Sequence, residues 1–113
     1  DQVETIEAAL AGARAAVYEI ADGLSEGAGS ERTLDILKLR LAGGELSLRA
    51  ANAAMLHQGA KGYLVRNPAQ RRLREAYFIA IVTPAIKHLR KELHELDSAG
   101  CALSQPQAEL EEA

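Results

Sequence analysis

The residues of this chain whose types could do chemistry are three histidines, one cysteine, a glycine-rich turn and a run of arginines. The histidines are His57, His88 and His94. His88 and His94 stand six apart, which puts them on different faces of a helix, and no H-x-x-x-H or H-x-x-E pair accompanies them. A helix offers two metal ligands together only when they lie one turn apart. A di-iron bundle needs a glutamate three residues before a histidine. Those positions hold Ala54, Ala85 and Lys91, and Glu92, the nearest acid upstream of His94, has the wrong spacing. The sequence therefore predicts no metal site. Cys101 stands alone, so it forms no disulfide within the chain and no cysteine cluster. It sits in a polar tail and reads as a bystander. A reducing cytoplasm is the expected compartment. Ser47 has no G-x-S-x-G around it and falls inside a helical pattern, where its hydroxyl is expected to bond the backbone.

The stretch "GAKGYL", residues 59–64, lacks the G-K-[ST] ending and the preceding strand of a phosphate-binding loop. Its plain reading is the turn that closes a helix. Its functional reading is a place where small residues let backbone approach a phosphate. "RNPAQRRLR" then puts Arg71, Arg72 and Arg74 on the first turns of a helix, with Arg66 just before it. Cations at a helix N-terminus oppose the dipole, so an acidic neighbour, a partner chain or a phosphate is expected to offset them. Residues 61–95 carry eight Lys/Arg (61, 66, 71, 72, 74, 87, 90, 91) against three Glu (75, 92, 95). The segments on either side are acidic, and the whole chain has a formal charge of −3. Such asymmetry describes either a solvated helix face or a surface that steers an anionic ligand or an acidic helix. Aromatic residues do not interleave with the arginines and no DNA-binding motif is present, so nucleic acid is not an expected partner.

These residues need elements to hold them. At 113 residues the chain is one domain's worth, and with 48 % apolar but only 4 % aromatic residues its core must be Leu, Ala, Ile and Val. Leu, Ala, Glu, Lys and Arg favour helix, and no alternating β-branched run marks a strand. No signal peptide and no apolar run of ~20 residues is present, so no membrane partner is expected. The chain opens at Asp1 rather than Met, which leaves open whether it is a full protein or a piece of a longer one.

Val3, Ile6, Leu10, Ala13, Val17, Ile20 and Leu24 are spaced 3,4,3,4,3,4, a heptad stripe on a first helix. Gly23 is the expected C-cap and "GLSEGAGS" the loop. Ser30, followed by Glu31, is the expected N-cap of a second helix. Leu34, Leu37, Leu41, Gly44, Leu48, Ala51 and Met55 form one stripe on it; Ile36, Leu39, Gly43, Leu46, Ala50 and Ala54 form another. A helix apolar on two faces has neighbours on both. Gly43-Gly44 costs about 2 kcal/mol of helix propensity relative to two alanines, which predicts a close helix approach there. Gly59 and Gly62 close this helix. Asn67-Pro68 is a cap followed by proline at the first helical position. Thr83-Pro84 repeats that signal, while Ile79, Val82, Ile86, Leu89, Leu93 and Leu96 keep the heptad phase across it. The predicted fold is all-α: an antiparallel up-down bundle of three long helices over residues 1–97, the third kinked or restarted at Thr83-Pro84, then a polar, flexible tail over 98–113.

Gly59-Ala60-Lys61-Gly62-Tyr63-Leu64, then Asn67-Pro68-Ala69-Gln70-Arg71, then Arg74-Glu75-Ala76 resembles the C-terminal helical domain of acyl-CoA dehydrogenases. The pattern there is G-G-x-G-[YF], a short loop, Y-P-x-E-[RK], and R-D-A. The resemblance covers residues 2–96, though its outer helices are generic. It implies a flavoprotein that uses FAD to remove two hydrogens from the Cα–Cβ bond of an acyl-CoA, giving an enoyl-CoA. This domain would pack at the centre of a dimer of dimers. The family's glycine pair lies near the pyrophosphate of a neighbouring subunit's flavin, and carried over it falls on Gly59 and Ala60, half of it changed. The family's catalytic glutamate stands nine residues after the arginine of R-D-A, opening an E-G-T turn. Here that position is Thr83, in Thr83-Pro84-Ala85, so no catalytic residue is expected in this chain. The family's N-terminal helical domain, its β-domain and the first helix of its C-terminal domain have no counterpart in these residues. FAD therefore belongs to the complete protein and is not expected to bind this chain alone. The implied role is packing and oligomerisation, with further copies or the remaining domains or subunit as partners. The alternative is a free-standing helical interaction module diverged from that family.

Overall fold

The computed structural model describes residues 1–25, 27, 32–82 and 84–104, with side chains for all of these but 25 and 100–104. They form α1 (Gln2–Ser25), α2 (Thr33–Gln58), a short 3-10 turn (Gly59–Tyr63), α3 (Pro68–Ile81) and α4 (Ile86–Ser104). No strand occurs among the described residues, as the all-α expectation requires. The third predicted helix is two: it stops at Ile81 and restarts at Ile86, with Val82 in extended conformation between them. Pro84 has no N–H with which to continue the ladder.

α2 is the hub, touched by α1, α3 and α4. Glu19, late in α1, pairs with Arg32 just ahead of α2 at 3.5 Å. Ala9 and Ala13, earlier in α1, share a hollow with Leu46 and Arg49, later in α2, so the two helices run in opposite senses. α1 starts on a real cap, because Asp1 Oδ1 accepts the N–H of Val3 at 2.8 Å. It runs through Gly23, the expected C-cap, to Ser25; the positive φ of 93° belongs to Gly27. A Cβ on Gly23 would meet the Arg32 guanidinium at 3.8 Å, an ordinary contact, so packing does not require glycine there. Arg32 precedes α2 without a side-chain cap, and the expected cap, Ser30, lies outside the described residues with Glu31.

α3 turns small residues inward. Ala69, Ala76 and Ala80 are buried, which permits a close helix approach, while Tyr77, Phe78 and Ile81 face solvent. α4 supplies the most deeply buried large side chain among the described residues, Leu89 at 1 % exposure, with Leu93 also buried. It rests on α2 where Ile86 covers Gly44 and Arg90 reaches Glu45 at 2.7 Å. The heptad phase does not carry core status across the break: Ile79, Val82 and Leu96 are exposed. α4 itself runs past Asp97 to Ser104. Residues 105–113 lie outside the described part.

Candidate functional site

The turn that joins α2 to α3 is built by two glycines with different jobs. Gly59 ends α2 at φ 61°, ψ −138°, a conformation open to glycine at little cost, and its N–H bonds the carbonyl of Met55. A Cβ on Gly59 would meet nothing within 4 Å, so the backbone there is accessible, as is Ala60 beside it. Gly62 is buried, and a Cβ on it would stand 2.8 Å from Met55 Sδ. Gly62 is therefore a packing glycine, and Gly59 the one that sets the chain direction. Asn67 opens α3 as the sequence predicts: its Oδ1 accepts the N–H of Ala69 at 2.8 Å, ahead of Pro68.

Around this turn the charge is one-sided along the chain. From Leu46 to Arg74 there is no Asp or Glu, while Arg49, Lys61, Arg66, Arg71, Arg72 and Arg74 are all cationic. The sequence pattern left open what offsets the arginines at the start of α3. For Arg71 it is an acidic neighbour: Glu75 Oε1 accepts from its Nε at 2.8 Å. The hydrogen bond to Glu75 and the attraction of its charge hold the Arg71 guanidinium above its ordinary range. Arg71 and Arg74 line a shallow hollow of about 610 Å³ with Glu75, Phe78 and Ile79.

The other candidates disperse. His57 ends α2, while His88 and His94 lie exposed on α4, and no group of three possible metal ligands exists among the described residues. Ser47 donates its hydroxyl to the carbonyl of Gly43 at 2.8 Å, the backbone bond expected of it. Thr83 lies outside the described residues, and Cys101's side chain is not described. No described helix is long and apolar enough to cross a membrane.

One apolar groove is a feature that sequence reasoning located only in part. Val17 and Leu24 of α1, Ile36 and Leu39 of α2 and Ile79 of α3 line a groove of about 560 Å³. Its floor includes both glycines of the α2 pair, and they differ. A Cβ on Gly44 would lie 3.3 Å from Ile86, whereas one on Gly43 would meet nothing within 4 Å. Only Gly44 makes the expected close approach; Gly43 leaves a notch. The groove continues into an exposed row, because the α1 stripe splits. Ile6, Ala13 and Ile20 turn inward, while Val3, Leu10, Val17 and Leu24 stay 44–60 % exposed. That row is about 31 Å long. The available signal was the seven-residue repeat within the stripe, which separates the two rows.

One of the comparisons with known proteins finds a match. The family described as acyl-CoA dehydrogenase, C-terminal domain, matches residues 1–83, which ends short of α4. No curated protein and no solved structure matches the chain.

Proposed function

This chain belongs to the family of the acyl-CoA dehydrogenase C-terminal domain, and from that premise we propose that it is the packing and oligomerisation domain of an FAD flavoprotein that oxidises an acyl-CoA to an enoyl-CoA. The observation that carries the reading is the open groove with its exposed α1 row. A monomer rarely leaves so long a row of Val and Leu uncovered, and such faces are usually closed by another helix or chain. The occupant is a further apolar helix, from another copy or from the remaining domains. On this reading the chain associates with itself at concentrations on the order of 10–100 μM. A compact monomer in sedimentation at those concentrations overturns it.

The turn at Gly59 fits a flavin pyrophosphate held by a neighbouring subunit. Its backbone is uncovered, Lys61 is adjacent, and the run from Leu46 to Arg74 holds no carboxylate to repel an anion. Gly59 and Ala60 would supply the backbone surface. FAD, when bound, accepts the hydride that leaves the acyl chain. What this chain contributes is position and charge.

Catalysis is assigned to other parts. A general base must sit within ~3 Å of the proton it removes, opposite the flavin. Thr83 replaces the family's glutamate, and Pro84 stiffens the turn where the family has glycine. The chain and its Thr83→Glu variant, incubated with FAD, a short acyl-CoA and an artificial electron acceptor, are expected to show no turnover above a protein-free control. Turnover by either refutes the assignment.

A further inference from the structure

The face that holds the groove carries opposite charges on its two borders. α1 has Glu4, Glu7, Glu19 and Asp22 against Arg14, while α3 has Arg71, Arg72 and Arg74 against Glu75. On each border the charge stands in line with exposed apolar residues. Glu7 lies one helical turn from both Val3 and Leu10 of the exposed α1 row, and Arg74 lies one turn before Phe78. The two borders belong to one surface, because Ile79 lines both the groove and the hollow of Arg71, Arg74 and Phe78. Glu75 holds Arg71, whereas neither Glu7 nor Arg74 has a partner among the described residues.

The two free charges also share a height. Asn67 Nδ2 donates to Gln58 Oε1 at 3.2 Å, and Ile79 borders Gly43 and Gly44, so α3 runs against α2 as α1 does. α1 and α3 therefore point the same way. Ala9 and Ala13 stand beside Leu46 and Arg49 of α2, and Glu75 and Ile79 stand beside Ser47 and Ala51. Glu7 and Arg74 each come just before those stretches, at about one level of the bundle.

We infer that the groove face closes on the same face of a second copy, about a twofold axis running along the helices, with α1 of each copy over α3 of the other. Such an axis moves no residue up or down. It brings Glu7 of each copy to the height of Arg74 of the other, and the exposed Val-Leu row to Phe78 and Ile79. A twofold axis across the helices would instead set Glu7 against the far end of α3, where Tyr77, Phe78 and Ile81 carry no charge to meet it. The apolar row supplies the area buried, and the charges select the partner and its direction. The inference rests on the reading of this face as a self-association surface, and names the occupant and the contact that orients it.

The experiment is sedimentation at about 10–100 μM on the chain, on Glu7→Arg, on Arg74→Glu and on an equimolar mixture of the two variants. Both positions are exposed, so neither substitution removes a core contact. Alone, each variant meets like charge at both copies of the contact, and its dimer Kd is expected to rise tenfold or more. Mixed, each variant supplies the charge that the other has reversed, at both contacts, and association returns to that of the unsubstituted chain. A chain carrying both substitutions associates in the same way. Mixing cannot rescue a misfolded variant, so recovery separates a lost contact from a lost fold. Variants that associate as tightly as the unsubstituted chain, or a mixture no tighter than its parts, overturn the inference and leave self-association standing. A monomeric unsubstituted chain overturns both.

Discussion

The two sides of α2 are built from the same kinds of residue and end differently. On one side α4 closes on the hub: Leu89 and Leu93 are buried, Ile86 covers Gly44, and Glu45 holds Arg90. On the other, α1 and α3 stand apart around a groove, with Val17, Leu24 and Ile79 turned to its open space and Gly43 uncovered at its floor. Aliphatic composition does not distinguish the two sides. What distinguishes them is whether the described residues supply a covering helix. A closed side contributes to the chain's own stability; an open side contributes once something sits on it.

The comparison can be broken by substitution, beginning on the closed side. Leu89→Ala should cost about 2–5 kcal/mol of folding free energy, read by urea unfolding, because the cavity has nothing to fill it. A loss under about 1 kcal/mol would mean that α4 is not part of the core. At the turn, Gly59→Ala should cost about 1–3 kcal/mol in the same measurement, since a side chain strains a backbone held at φ 61°. Equality of Gly59→Ala with Ala60→Gly would remove the special status of that position. On the open side the sign should invert. Gly43→Ala is expected to stabilise by about 1 kcal/mol through helix propensity, with no neighbour to push against. Gly44→Ala should gain less, because Ile86 must move. If the two gains are equal, the notch is not real. The smallest effect on folding belongs to Val17→Lys, within about 0.5 kcal/mol, while self-association in sedimentation is lost. Folding loss without loss of association would place the interface elsewhere.

What the sequence disclosed is what local chemistry decides. The Asn67-Pro68 cap, the bond of Ser47 to the backbone and the restart at Pro84 each depend on neighbours a few residues away, and each was legible. The α1 stripe was legible as a stripe, but not which of its rows faces inward. That choice depends on a helix that the stripe does not contain. Gly23 and Gly27 lie in one glycine-rich cluster, and composition does not say which carries the positive φ. The far end of α4 was missed because "DSAGCALS" is polar without a strong stop, and proline first appears beyond it at Pro106. At the site, the basic run was visible and its pairing with Glu75 was among the expected answers. The common height of Glu7 and Arg74 was not visible, since it depends on how α1 and α3 pack on α2.

The central place of α2 also bears on the order in which the chain folds. Contacts of α1 and α3 with α2 join neighbours in the chain, and such closures are quick and cost little entropy. The tie between Glu45 and Arg90 spans 45 residues and waits on both the turn and the break at Pro84. α4 should therefore dock last, onto a scaffold already formed. In a chevron experiment, Leu89→Ala should mainly speed unfolding and leave the folding rate nearly unchanged, whereas Ala51→Gly in the middle of α2 should slow folding.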